Sequence, residues 1–147
     1  MTKKYIPAAL LRLVVERARN CCEYCRYPGR YAPQTPPVDH IRPREAGGLT
    51  SAENLAQSCQ GCNGHKAAKT AASDPVTGLL VPLYHPRRQR WDEHFAWSED
   101  SLQIIGLTPV GRATVEALQL NREGLLNLRR VLYAVGEHPP QEIETDI

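Results

Sequence analysis

Two cysteine pairs, Cys22-x-x-Cys25 and Cys59-x-x-Cys62, constrain this chain more than any other feature, because 33 residues separate them. A C-x-x-C turn brings two sulfurs within reach of one ion, and two such turns complete a tetrahedral S₄ set. The residues between must then form a closed loop returning to the first pair. Structural zinc fits this spacing best. Iron in a rubredoxin-like site and a dithiol redox pair are the alternatives, and neither has a thioredoxin-like βαβ context here. Cys21 is the odd cysteine; as a substitute for Cys22 it would give the poorer C-x3-C spacing. A chain of 147 residues is one domain in size, or a small module with a packed extension. Paired cysteines used for metal suit a reducing compartment, so cytoplasm is the expected location. The opening Met1-Thr2-Lys3-Lys4 and the apolar run broken by Arg12, Glu16 and Arg17 do not read as a signal peptide. No apolar run is long enough to span a membrane.

The net charge of +2 conceals an asymmetry. Residues 1–90 hold 14 Lys and Arg against 6 Asp and Glu, a balance of +8; residues 91–147 hold 4 against 10, a balance of −6. Four thiolates on one zinc would subtract about 2 from the first figure without changing its sign. A basic front half points to a polyanionic partner.

Hydrophobic periodicity predicts an amphipathic helix over residues 7–20, with Leu10, Leu11, Val14, Val15 and Ala18 on one side and Arg12, Glu16, Arg17 and Arg19 on the other. Pro7 fits its first turn. The Pro-, Gly- and Tyr-rich segment 26–37 is a loop, in which Tyr27, Arg30 and Tyr31 suit either nucleic-acid stacking or an ordinary surface. Residues 38–43 are a short strand ended by Pro43, Gly47-Gly48 is a turn, and Thr50 to Glu53 reads as a capping box on one helical turn. A second short strand is expected over 55–58, then a helix from the second cysteine pair to about residue 72. Further on come a turn at Asp74 to Gly78 and a basic segment over 85–90. The Trp91, Glu93, Phe95, Trp97 alternation predicts a hairpin with residues 102–107. Two helices should follow, capped by Thr108 and Asn121, the second with Leu125, Leu128 and Leu132 on one face. From His138 onward a frayed tail is expected. The fold class is α+β, with 1–90 as the stapled core and 91–147 as a hairpin and helical extension packed on it.

The chemistry lies between Asp39 and Lys69. Phosphodiester hydrolysis needs an activated water, neutralised phosphate charge and a stabilised leaving alkoxide. His40 is the candidate base, and Asp39 and Asn63 are candidate oxygen ligands for a divalent cation. Neighbours on a strand point to opposite faces, so Asp39 and His40 serve one site only if the strand bulges or ends there. Lys66, three residues after Asn63, shares its helix face and is expected near a phosphate; His65 points elsewhere. Asn54 is placed to tie its loop to the strand carrying His40. Arg42, Arg44 and Lys69 complete the expected nucleic-acid contacts.

The series Asp39-His40-Ile41-x-Pro43, Gly47-Gly48, Asn54-Leu55 and Cys59-x-x-Cys62-Asn63-x-x-Lys66 resembles the HNH endonuclease motif in its zinc-binding branch. The resemblance implies a ββα-metal core of two antiparallel strands and a helix around one cation. It implies His40 as general base, Asp39 and Asn63 as ligands of catalytic Mg²⁺ or Mn²⁺, Asn54 as loop brace, and Cys22, Cys25, Cys59 and Cys62 on structural Zn²⁺. Asn63 stands where many members carry histidine, an H-N-N form similar to the nicking domain of RNA-guided CRISPR nucleases. The implied activity is metal-dependent DNA cleavage leaving 5′-phosphate and 3′-hydroxyl ends, with no small-molecule cofactor and no membrane partner. A non-catalytic nucleic-acid-binding module and an RNA nuclease are the alternatives. No recognition helix or long basic arm is present to read bases, and oligomeric state is not legible.

If the four paired cysteines bind zinc, roughly 10–16 kcal/mol of apparent binding energy is coupled to folding. Cys59→Ser is therefore expected to lose zinc and to unfold around residues 20–70, whereas Cys21→Ser retains both; metal analysis and circular dichroism decide it.

Overall fold

The structure, a computed structural model, describes residues 6–140. The opening five residues and the acidic end from 141 lie outside it. Helix α1 spans Ala8–Ala18 and stops where Arg19 and Asn20 turn left-handed at φ 50° and 53°. Only Val14 and Ala18 are fully buried; Leu11, Leu13 and Val15 stay well exposed. Arg17, expected on the polar side, instead donates to Ala52 O and Leu55 O, both at 2.8 Å, and so docks the helix on the central hairpin.

That hairpin pairs β1 (Val38–His40) with β2 (Leu55–Gln57) antiparallel, His40 facing Leu55 and Asp39 facing Ala56. Its connection holds a 3₁₀ turn at Arg44–Ala46, left-handed Gly47 (φ 88°) and a second 3₁₀ turn at Ala52–Asn54. Gly48 has no room for a side chain: a Cβ there would lie 1.7 Å from Arg42 O. The turn at Ala52–Asn54 has Ser51 at its N-cap with no side-chain cap bond, and Thr50, the expected cap of the box, pairs with the His40 ring instead.

Helix α2 covers Gln60–Lys66, capped by Cys59 Sγ accepting from Cys62 N. It is shorter than its alanine-rich continuation suggests. Ala67 leaves the helix at φ 48°, and Ala71–Ser73 becomes β3, paired with β4 (Leu80–Pro82). Helix propensity loses because Asp74 builds a turn in which its carboxylate accepts from Val76 N and Thr77 Oγ1, with Gly78 left-handed at φ 75°.

In the second half, Trp91–His94 is a single helical turn (α3) rather than strand, and β5 starts at Phe95 (Phe95–Trp97), pairing with β6 (Ile104–Gly106). Helix α4 (Pro109–Leu118) carries the Thr108 cap, whose Oγ1 accepts from Gly111 N at 3.0 Å. Helix α5 covers Glu123–Ala134 and begins one residue later than an Asn121 cap requires. Asn121 instead bridges both backbone groups of Ile104, at 2.7 and 2.8 Å. On α5 the fully buried positions are Leu125, Arg129 and Leu132, with Leu128 only half-buried. His138 is not frayed: it is buried, edge-on to Trp97 at 4.5 Å between centroids, and bonded to Ser101 O.

One core joins both halves, with Tyr24 and the four paired cysteines packed among Tyr84, Trp91, Phe95, Ile104, Leu118 and Leu125. Asp74 ties α4 to the β3–β4 hairpin through a two-pronged pair with Arg112, at 2.9 and 2.8 Å. The Arg112 hydrogen bonds, opposed by desolvation, hold the Asp74 carboxyl well below its ordinary 3.8. A depressed native pKa contributes stability above the unfolded value and loses it as pH falls. The thermal-stability gap between wild type and Asp74→Asn is therefore expected to be full at neutral pH and to narrow progressively below about pH 4, measured by melting across a pH series.

Candidate metal and catalytic site

The sulfurs of Cys22, Cys25, Cys59 and Cys62 all lie within 4.8 Å of one another, and all four residues are buried. Zinc–sulfur bonds of about 2.3 Å imply sulfurs about 3.8 Å apart in a tetrahedron, and Cys25 and Cys59 stand at 3.6 Å. The donor set and its size fit zinc. Cys21 is outside the cluster, its backbone bridged to Pro28. Backbone amides of Cys25 and Cys62 donate to Cys22 Sγ and Cys59 Sγ. Hydrogen bonding from Cys22, then Cys25 and Cys62, pulls the Cys59 thiol far below its ordinary 9.0, towards the thiolate that binds metal.

A residue the motifs did not flag completes this charge balance. Arg122, just before α5, donates to Cys59 Sγ at 3.2 Å and to Cys62 Sγ at 3.6 Å. Burial alone would lower its pKa, but the charge on Cys62, with Cys25 and Cys59 behind it, outweighs burial and raises it. With Zn²⁺ held by four thiolates, the guanidinium would offset the excess negative charge.

The two residues inside the first pair are used as fully as the cysteines. Glu23 accepts from Gln57 N at 2.9 Å and forms a short ion pair with Arg87. Tyr24, wholly buried, donates its hydroxyl to Asp39 Oδ2 at 2.7 Å, while its carbonyl accepts from Trp91 Nε1 at 2.9 Å. Burial first, then the Asp39 charge, raises the phenol's pKa well above 10, so it stays a neutral donor.

Lys66 is 1% exposed, and although it lines a cavity together with Arg42 and Lys69, its ammonium is committed inward. Its ammonium sits 3.2 Å from the Asp39 carboxylate and donates to His40 O and Ile41 O at 3.3 and 3.0 Å. The helical spacing that aligned it with Asn63 is kept, but residues 39–41 take up its charge.

At the end of β1, Asp39 and His40 line one cavity of 820 Å³ together with Asn63 and Glu45. His40 is 6% exposed, and its Nε2 is 2.9 Å from Thr50 Oγ1, which fixes the ring plane. Asn54 is not in this cavity. Its Oδ1 accepts from Arg42 N, and its Nδ2 donates to Arg42 O and Leu49 O, closing the loop between the strands. Arg42 and Lys69 line a second cavity of 880 Å³ together with Arg88, which the basic segment contributes. Of that segment, Arg87 is committed to Glu23 and Arg90 lies beside Asp92 and Glu93. Arg44 is exposed on its 3₁₀ turn. Arg30 and Tyr31 both engage Glu137, which ties the 26–37 loop to the end of the described chain.

Replacing Lys66 tests its placement. Breaking a buried ion pair by removing one partner costs about 3–5 kcal/mol, so Lys66→Ala is expected to lose that much stability in urea unfolding. A change confined to nucleic-acid affinity, with stability intact, would contradict the buried position.

Residues 22–69 match the family model of the HNH endonuclease, whose span holds both cysteine pairs and the Asp39–His40–Asn63 cavity. No curated protein and no solved structure matches the chain. Among the described residues, no helix is long and apolar enough to cross a membrane.

Proposed function

Taking residues 22–69 as an HNH endonuclease segment, we propose that the protein is a metal-dependent DNA endonuclease that hydrolyses phosphodiester bonds with His40 as general base. The observation that carries this reading is the convergence of a histidine, a carboxylate and an amide on one cavity beside a four-sulfur staple. Binding alone requires none of those three side chains.

Asp39 and Asn63 would hold the catalytic cation. Both offer oxygen, which suits Mg²⁺ or Mn²⁺. When bound, such an ion neutralises phosphate charge and stabilises the leaving oxygen. The remaining work falls to the chain. His40, with its ring plane set by Thr50, takes the proton from the attacking water. Asn54 keeps the connecting loop closed, so that the end of β1 does not shift. Arg42, Lys69 and Arg88 meet the backbone phosphates along the neighbouring cavity, with Arg44 nearby; these are point-charge contacts without sequence readout. Residues 1–90 carry the site, and residues 91–147 supply Arg122 and the Trp91 anchor that steady it.

The test is nicking of supercoiled plasmid with and without Mg²⁺ or Mn²⁺. His40→Ala is expected to lower the rate by roughly 10²–10⁴ while zinc content and DNA affinity hold. Wild-type protein that binds DNA but never cuts it under either metal would leave a binding module; cleavage of RNA and not DNA would move the substrate class.

A further inference from the structure

Among the partners of Asp39 in the described residues are two groups of different charge, and the difference matters to a cation. The Lys66 ammonium fixes the carboxylate but also offsets its negative charge, which weakens attraction for a divalent ion. The Tyr24 hydroxyl, 2.7 Å from Oδ2, fixes it without adding charge. A carboxylate oxygen carries two lone pairs, so an oxygen that accepts a hydrogen bond can still ligate a metal. Tyr24 itself has little freedom. Its side chain is wholly buried, its ring meets Tyr84 edge-on at 6.4 Å, and its carbonyl is tied to Trp91. It also sits between Cys22 and Cys25, so the first cysteine turn fixes its backbone.

We infer that Tyr24 is the positioning residue for the catalytic cation, linking the four-sulfur staple directly to the Asp39 carboxylate. The inference rests on the nuclease reading above. Hydrogen-bond partners of metal ligands orient them, and losing one typically costs 10–100-fold in metal affinity or activity. Nothing in the C-x-x-C pattern asks for a hydroxyl at this position; only the geometry assigns one. The staple then does more than hold the fold together, because it sets the aim of a ligand in the site next to it.

The experiment compares Tyr24→Phe with wild type and with Glu23→Gln. The Glu23→Gln change loosens the same cysteine turn, because Glu23 ties it to Arg87 and Gln57, and it leaves the Tyr24 hydroxyl in place. Each zinc-loaded protein is titrated with Mn²⁺ alone, reading free Mn²⁺ by electron paramagnetic resonance, and plasmid nicking is then followed against Mn²⁺ concentration. Tyr24→Phe is expected to keep one zinc and to bind Mn²⁺ about 10–100-fold more weakly, with half-saturation of nicking displaced in parallel. Glu23→Gln should bind Mn²⁺ like wild type. Equal Mn²⁺ affinity in wild type and Tyr24→Phe, or equal weakening in both variants, would overturn the inference while the nuclease reading stands. Loss of zinc or of fold in Tyr24→Phe would assign the phenol to the staple and overturn it too. Wild-type protein that takes up no Mn²⁺ and cuts nothing would remove the nuclease reading and this inference together.

Discussion

The Lys66 ammonium, enclosed beneath β1, is the interaction on which the arrangement of the site depends. A charge taken out of water is costly unless its donors are met. Here residues 39, 40 and 41 meet them in succession, with one carboxylate and two carbonyls. The contact runs from the last turn of α2 to the end of β1. Asn63, one turn earlier on α2, is thereby held in register with Asp39 and His40. Strand β1 is only three residues long, and its hairpin alone would hold that register weakly.

The first cysteine turn shows how much a short segment does when every side chain has a partner. Cys22 and Cys25 supply sulfur, Glu23 bonds to the end of β2 and to Arg87, and Tyr24 reaches Asp39. Each contact joins the turn to a different part of the chain. The second half closes the assembly from the other side: Trp91 bonds to the Tyr24 carbonyl, and Arg122 brings positive charge to Cys59 and Cys62. The acidic balance of residues 91–147 therefore does not describe the charge that half brings to Cys59 and Cys62, which is the Arg122 guanidinium.

The motif residues divide between two cavities. One is lined by Asp39, His40 and Asn63, and the other by Arg42, Lys69 and Arg88 with the buried Lys66. Asn54 lies in the wall of the second and stabilises the first only by closing the loop between them. The basic segment 85–90 likewise separates by burial into a structural arginine, Arg87, and one facing the open cavity, Arg88.

The sequence by itself determined the features that local spacing controls. The cysteine pairs, the short hairpin around Asp39–His40, the Thr108 cap and the hairpin after Phe95 follow from residue type and interval, and the structure has them. Tertiary structure decided whatever depended on what lies opposite. Residues 67–72 have the composition of helix, yet Ala71–Ser73 became strand because β4 and the Asp74 turn offered backbone pairing. Lys66 has the spacing of a phosphate-binding lysine, yet it is buried and residues 39–41 take up its charge. Tyr24 and Arg122 gave no signal at all, and Thr50 signalled only a helix cap, because a hydroxyl or guanidinium gains its meaning from a partner 15, 63 or 10 residues away. Periodicity and motif spacing report neighbours along the chain; burial and charge pairing are settled only when distant segments meet.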